Sequence, residues 1–222
     1  MKNQSTQPQG NRDAREKSRK LSADEERRLA SFESLSADML ARGYRREELT
    51  VSIVRANVFA VVLLIPLLVL GFGLFLLKND SVSLPSGPMG TLLLFLLFFV
   101  LIVVHELIHG LSWAIFTEHH WKDISFGFMK QYLTPYCSCA VPLKKGQYIF
   151  GALMPLLVLG LVPMLVGILT GSLLTLLLGV MLADGAAGDI LIVWKILRYR
   201  SAAKEVVYID HPTQAGGVIF ER

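Results

Sequence analysis

The sequence contains four long apolar segments, and these constrain its fold more than any other feature. They lie at residues 57–77, 90–116, 149–169 and 173–194. A helix needs about 20 residues to cross the hydrocarbon core of a bilayer, so each segment is long enough to span it. The chain is 53% hydrophobic with a mean hydropathy of +0.50, which is more than a soluble domain of this length requires. We therefore predict an all-α membrane protein with four transmembrane helices.

The distribution of basic residues predicts the orientation of these helices. The segment up to Arg55 carries twelve Lys and Arg, residues 117–147 carry four, and the segment from Lys195 onward carries five. Four spans place all three segments on one side of the membrane, which then holds 21 of the 22 basic residues. By the positive-inside rule this side is the cytoplasm, so both termini are predicted to be cytoplasmic. The basic excess then reflects topology, and no nucleic-acid partner is expected.

The polar N-terminal flank divides into two parts. Residues 1–20 are rich in Gln, Asn, Ser and charge, which predicts a disordered tail. Residues 21–50 are predicted to hold a cytoplasmic amphipathic helix, because Ser22 and Glu25 have the spacing of a capping box. The pattern leaves open whether this helix lies on the membrane or on the protein's own cytoplasmic face. The other two units are a four-helix membrane domain and a cytoplasmic tail with short strands, at residues 51–200 and 201–222.

The segment between the second and third helices, residues 117–147, is predicted to form a short β-hairpin or loop. Apolar residues occupy alternate positions from Ile124 to Phe128, as in a strand with one buried face. A turn-like stretch follows at Thr134 and Pro135. The element is expected at the cytoplasmic mouth of the helices.

Three adjacent ionisable residues, His105, Glu106 and His109, interrupt the second apolar segment. Residues four apart on an α-helix differ by about 40° in azimuth, so the two histidines project from one face and can bind one metal ion. Glu106 lies near them without having to be a ligand. This His-Glu-x-x-His arrangement predicts His105 and His109 as zinc ligands and Glu106 as the catalytic general base that takes a proton from water.

The position of the motif within a membrane span argues against a chance match. The motif fixes only three positions, and in a soluble helix such histidines usually face solvent. An acidic residue near the centre of a transmembrane helix costs about 2.5–3.5 kcal/mol on insertion scales. Such groups persist where they have partners or a function, and here their spacing is that of metal ligands.

A catalytic zinc site needs a third protein ligand. The only other charged residues within the apolar segments are Asp184 and Asp189, both in the fourth. On a straight helix they are about 140° apart, so at most one of them points directly at the metal. Their depths leave both in range, and the other could orient a histidine. The residue pattern alone therefore leaves the third ligand open.

The sequence resembles the putative zincin peptidase family of small, four-helix bacterial membrane proteins, which are related in plan to site-2-type intramembrane metalloproteases. The resemblance runs from about Tyr44 to the C terminus. The residues on which it rests are Leu49-Thr50, Asn57, His105-Glu106-Leu107-Ile108-His109-Gly110, Thr134-Pro135-Tyr136, Pro155, Gly188-Asp189-Ile190 and the stretch from Val206 to Asp210. The resemblance implies Asp189 as the third ligand. Asp184 is the second choice, because Asp184-Gly185 resembles the Asp-Gly of site-2 proteases. The Asn-x-x-Pro element that accompanies Asp-Gly in those proteases is absent here.

Together these features predict a zinc-dependent intramembrane or juxtamembrane endopeptidase that cleaves membrane-associated polypeptides from the cytoplasmic side. Zn²⁺ is the expected cofactor, and the lipid bilayer and a polypeptide substrate are the expected partners. The resemblance implies a multi-pass protein of the bacterial cytoplasmic membrane. The strands of the central segment could hold an unwound substrate by β-augmentation. Two alternatives remain: a catalytically idle zinc-binding scaffold, and a proton or metal transporter.

Overall fold

The computed structural model describes residues 21–81, 87–129 and 134–222, so the tail predicted to be disordered at residues 1–20 lies outside the described residues. Within them, three helices are long and apolar enough to cross a membrane: α2 (Ile53–Lys78), α3 (Pro88–Ala114) and the helical segment Lys145–Thr170. A fourth span is formed if the bent pair α6 (Leu173–Gly185) and α7 (Ala187–Arg198) counts as one. The helical membrane core is therefore confirmed in outline.

The last two spans are less regular than the apolar pattern predicts. The helix predicted without a break at residues 173–194 bends by 46° between α6 and α7. The bend falls at Ala186, in a run of glycine and alanine, where the backbone is least restrained by side chains. The segment Lys145–Thr170 comprises α4 (Lys145–Pro155), a π-helical stretch and α5 (Val162–Thr170). Pro155 lacks an N–H and its ring crowds the turn before it, which interrupts the hydrogen-bond ladder at the end of α4.

Helices α2 and α3 present apolar side chains outward over much of their length. Val61, Leu77 and Phe99 are each more than half exposed, and many of their neighbours on both helices are similar. A continuous apolar surface of this size requires an apolar surrounding. The outer faces of α2 and α3 are therefore suited to contact lipid.

A four-stranded antiparallel sheet joins parts of the chain that the membrane helices separate. Its strands are β1 (Arg45–Thr50), β4 (Leu143–Lys144), β5 (Val206–Asp210) and β6 (Gly216–Glu221), in the order β1-β6-β5-β4. Strand β1 precedes α2, β4 leads directly into α4, and β5 follows α7. These helix ends therefore lie on one side of the helical core, which is what an even number of crossings requires.

The sheet adds to the predicted fold class, an all-α membrane protein with a short β-hairpin and short strands in the tail. The tail strands were predicted, but β1 was not. Its sequence is mostly charged, and only Leu49 is buried while the residues before it are exposed. It is an edge strand with little apolar alternation, so its pairing with β6 is set by tertiary contacts rather than by a local pattern.

The predicted hairpin between the second and third spans is confirmed, but Thr134 and Pro135, predicted as its turn, are the first two residues of its second strand. It consists of β2 (Ile124–Met129) and β3 (Thr134–Cys139), paired antiparallel. Its position on the membrane helices depends on Gly110 of α3, where a β-carbon would overlap the ring of Phe126. The hairpin is thereby held against the same helix that carries the two histidines.

The predicted amphipathic helix is α1 (Ala23–Ala41), and it begins with the expected capping box between Ser22 and Glu25. Phe32 and Met39 on its buried face pack against residues of β5 and β6. The sequence left open whether this helix lies on the membrane or on the protein itself. In the structure it lies on the protein's own surface. The helix thus covers the sheet on the side where β3 also lies.

Candidate metal centre

His105, His109 and Asp189 converge at one point between α3 and α7. The Nε2 atoms of the two histidines are 3.1 Å apart, and the Asp189 Oδ2 atom lies 3.3 Å from that of His105 and 3.5 Å from that of His109. Both histidines are buried, and Asp189 is in the first turn of its helix. Two helices that are remote in sequence therefore supply three metal-binding groups to one position.

The chemistry and spacing of these donors fit a zinc ion. Bond lengths of about 2.0–2.2 Å in a tetrahedral site place ligand atoms about 3.3–3.6 Å apart, close to the three distances observed. The Nδ1 atom of His109 lies 2.8 Å from the carbonyl oxygen of Gly151 and donates its hydrogen to it. This bond leaves the Nε2 lone pair free to bind a metal. Two imidazoles and a carboxylate are also a common zinc-binding set.

A layer of aromatic residues holds His109 in place. Its ring stacks on Trp113, with ring centroids 5.2 Å apart and planes 15° apart. Trp113 in turn donates its indole N–H to the carbonyl oxygen of Tyr148 on α4, at 3.2 Å. Gly151 lies against the edge of this indole and has no room for a side chain. The orientation of His109 therefore depends on close contact between α3 and α4.

Gly151→Ala tests this dependence. Its new methyl group would overlap Trp113, so the indole must shift or the helices must separate, and either change disturbs the bond between His109 and the Gly151 carbonyl. We expect zinc affinity to fall by about 10–100-fold, as for other residues that orient a ligand. Zinc affinity is measured by competition with a chromophoric chelator. Gly146→Ala is the matched control, because Gly146 lies on the same helix with open space around it. Equal affinities in the two variants would contradict the argument.

Asp184, the second choice for the third ligand, lies near the bend on α6 rather than in the group of three donors. It lines the same cavity as the two histidines. Its Oδ1 atom is buried and makes no hydrogen bond within the described part of the chain. The structure thus separates the two aspartates, with Asp189 at the histidines and Asp184 on the cavity wall.

Glu106 lies beside the three donors and faces a cavity of about 380 Å³. Its carboxylate is half-buried and interacts with the backbone N–H of Cys137 on β3. The cavity extends from the histidines past β3 to the turn between β5 and β6. It is large enough for several residues of an extended peptide, and it brings them next to Glu106.

Residues 98–204 match the family model described as "Putative zincin peptidase". Over these residues, slightly less than half of the chain, the protein is similar to that family. The resemblance predicted from the sequence is confirmed there, and the matched segment contains His105, Glu106, His109 and Asp189. No curated protein and no solved structure matches the chain significantly.

Asp210 is a residue near the centre that sequence reasoning did not select, and it lies outside the zincin peptidase segment. Its Oδ2 atom accepts a hydrogen bond of 2.7 Å from the backbone N–H of Cys139, and its Oδ1 atom accepts one from the Tyr148 hydroxyl. Burial raises the pKa of Asp210 to about 6. The carboxylate ties β3 and β5 to α4. Only the three-dimensional contact reveals this role, since the partners are far apart in sequence.

The remaining histidines are not part of the centre. His119 is exposed and lies 3.6 Å from the carboxylate of Asp123, and His120 bonds to the carbonyl oxygen of Ala114. His211 accepts the backbone N–H groups of Thr213 and Gln214 and so stabilises a turn.

Proposed function

We propose that the protein is a zinc-dependent endopeptidase that cleaves membrane-associated polypeptides from the cytoplasmic side. His105, His109 and Asp189 are the proposed zinc ligands, and Glu106 is the proposed catalytic residue. The observation that carries the proposal is the convergence of the three donor atoms within 4.8 Å of one another, next to Glu106 at the wall of a cavity. The zincin peptidase match over this segment supports the same reaction class.

The chemistry divides between the metal and the protein. A bound zinc ion lowers the pKa of water toward about 7 and polarises a carbonyl group. The Glu106 carboxylate takes a proton from the attacking water and passes it to the nitrogen of the leaving amine. The bond from His109 to the Gly151 carbonyl and the stacking of Trp113 keep the imidazole oriented while the charge nearby changes.

The edge of β3 is the proposed docking position for the substrate backbone. On an antiparallel strand, alternate residues point both polar backbone groups toward the same neighbour. The Cys139 N–H bonds to Asp210 rather than to β2, and Cys137, two residues before it, faces the same way. An extended peptide can therefore pair with β3 next to Glu106. There a carbonyl oxygen of the peptide replaces the Glu106 carboxylate as the hydrogen-bond acceptor of the Cys137 N–H. Only a short stretch of peptide can pair with β3, because the N–H of Cys139 remains bonded to Asp210 and Pro135 has no backbone N–H.

The proposed orientation follows from charge. The four-stranded sheet joins the flanks that carry the basic residues, and basic flanks of membrane helices favour the cytoplasm. The bent pair of α6 and α7 serves as the fourth span in this proposal. The proposed location is the cytoplasmic membrane of a bacterium, with lipid against the outer faces of α2 and α3.

Removal and return of zinc test the proposal. The full chain is purified in detergent, its zinc content is measured, and cleavage of a fluorescence-quenched single-span model substrate is followed. We expect stoichiometric zinc, loss of cleavage on treatment with a chelator, and recovery on addition of zinc. Zinc without cleavage of any model substrate would favour the scaffold. Absence of zinc from the untreated protein, together with metal or proton flux in liposomes, would favour the transporter.

A further inference from the structure

A second cavity adjoins the cavity at the metal centre, on the side of the sheet. This outer cavity has a volume of about 460 Å³ and lies between α1 and the hairpin of β2 and β3. The two cavities share six lining residues: Arg28, Tyr136, Ser138, Asp210, His211 and Pro212. A polypeptide that reaches the metal centre from this side therefore passes Arg28 of α1. Arg28 lies outside the zincin peptidase segment at residues 98–204.

Arg28 is held at this junction with part of its hydrogen-bonding capacity unused. Its guanidinium lies 4.3 Å from the centre of the Tyr136 ring, and its Nη1 atom makes a long hydrogen bond of 3.4 Å to the Ser138 hydroxyl. Its Nε atom is buried and has no hydrogen-bond partner in the described ranges. A buried donor without a partner is costly and needs an explanation. A ligand that accepts hydrogen bonds would supply the missing partner.

The charges around the outer cavity favour an anionic ligand. Arg27 is neutralised by an ion pair with Asp24. Lys122 also lines the cavity and has no ion pair among the residues that the structure describes. Asp210 is the other acidic residue of the lining; its oxygens accept hydrogen bonds from Tyr148 and from the backbone of Cys139, and Arg28 and Lys122 together outweigh its single negative charge. Arg28 and Lys122 thus leave a positive excess, and the planar guanidinium of Arg28 is suited to a carboxylate.

We propose that Arg28 binds an aspartate or glutamate side chain of the polypeptide substrate and so makes the enzyme select for an acidic residue near the scissile bond. This inference rests on the proposed function and names the substrate class of that same site. Arg28 contributes to substrate binding and specificity, whereas Glu106 carries out the proton transfers of the chemical step. A free anion in the outer cavity would satisfy the same donors, but Arg28 also lines the cavity of the metal centre, where a polypeptide substrate would lie.

The strand geometry adds a positional requirement. Tyr136 and Ser138 are two apart on β3, so their side chains lie on one face, which is the face that Arg28 contacts. A peptide that pairs with the edge of β3 places alternate side chains on this face. An acidic residue is therefore recognised when its side chain lies on this face of the peptide, and not when it is moved by one residue to the opposite face. The preference has a period of two residues.

The test measures binding and cleavage separately. Fluorescent single-span peptides carry one Asp, Asn or Lys at each of several successive positions next to the site of cleavage. Their dissociation constants for the full-length Glu106→Gln protein are measured by anisotropy in nanodiscs, and their kcat/KM values are measured with the unmodified protein. We expect Asp to bind about tenfold or more tightly than Asn at alternate positions, as for a hydrogen bond to a charged group. Arg28→Gln is expected to remove this preference, and Arg28→Glu is expected to transfer it to the Lys peptides.

Arg27→Gln is the matched control, because Arg27 is adjacent on α1 and its charge is already paired. It is expected to keep the preference for Asp. The inference is overturned by equal binding of Asp and Asn peptides, by a preference without the two-residue period, or by one that survives Arg28→Glu. The inference is also overturned if peptide binding depends on Arg28 only through the anionic lipid content of the nanodisc and does not depend on the charge of the peptide. If no peptide is cleaved but the alternating preference in binding is present, the proposed peptidase activity fails and the selection by Arg28 stands.

Discussion

Replacing Glu106 by glutamine is expected to abolish cleavage while zinc remains bound. Glutamine has nearly the same shape as glutamate but cannot accept the proton of the attacking water. General-base catalysis contributes about 10²–10⁴-fold to a rate, so kcat is expected to fall by at least this factor. The three donor atoms of His105, His109 and Asp189 are untouched, and the Cys137 N–H can still bond to the side-chain oxygen. Zinc content and cleavage of the model substrate are measured on the same preparation.

The matched control is Glu118→Gln, which removes an exposed carboxylate just beyond the end of α3. It is expected to change neither zinc content nor kcat. Cleavage by the Glu106→Gln protein at the rate of the unmodified protein would refute the role of Glu106 as the base. Loss of zinc from the same variant would instead show that Glu106 is a ligand or holds one.

The fold was predictable where the bilayer dictates it. A span requires a long apolar run, and α2 and α3 cover the predicted segments because nothing in those runs competes with a helix. The bend at Ala186 was not predicted, because small residues permit a break without specifying one. Strand β1 escaped prediction because its charged sequence carries no alternation, and its partner β6 lies at the other end of the chain.

The candidate site was partly predictable for a related reason. His105 and His109 are one helical turn apart and Glu106 directly follows His105, so their proximity follows from local geometry. Gly151, Asp210 and Arg28 carry no such local signal. Each acts through a contact with another element: the indole of Trp113, the backbone of Cys139 and the ring of Tyr136. These positions become visible only when the helices and strands are assembled.

A bend in the backbone determines which of the two aspartates joins the histidines. On a straight helix, the azimuths of Asp184 and Asp189 leave both as possible third ligands. The bend places them on separate helices, and only Asp189 then reaches the histidines. In the sequence, the resemblance to zincin peptidases was the sole reason to prefer it.

Asp189→Ala is accordingly expected to lose zinc, whereas Asp184→Ala is expected to retain it. Alanine at position 189 removes one of three donors, and two imidazoles alone bind zinc much more weakly. The loss of affinity should exceed the about 10–100-fold that removal of an orienting residue costs. Asp184 contributes no atom to the group of donors, so its removal changes the cavity wall only. Zinc content after dialysis and affinity by chelator competition are measured for both variants.

The comparison is informative because the two substitutions are chemically identical and lie five residues apart. A general effect of removing a buried carboxylate on folding would lower zinc binding in both variants, and thermal stability of the zinc-free proteins identifies that case. Zinc loss from the Asp184 variant alone would exchange the roles of the two residues. It would imply that the bend between α6 and α7 straightens or rotates when the metal binds, since Asp184 now lies outside the group of donors. Retention of zinc by the Asp189 variant with loss of cleavage would make Asp189 a partner that orients a histidine rather than a ligand.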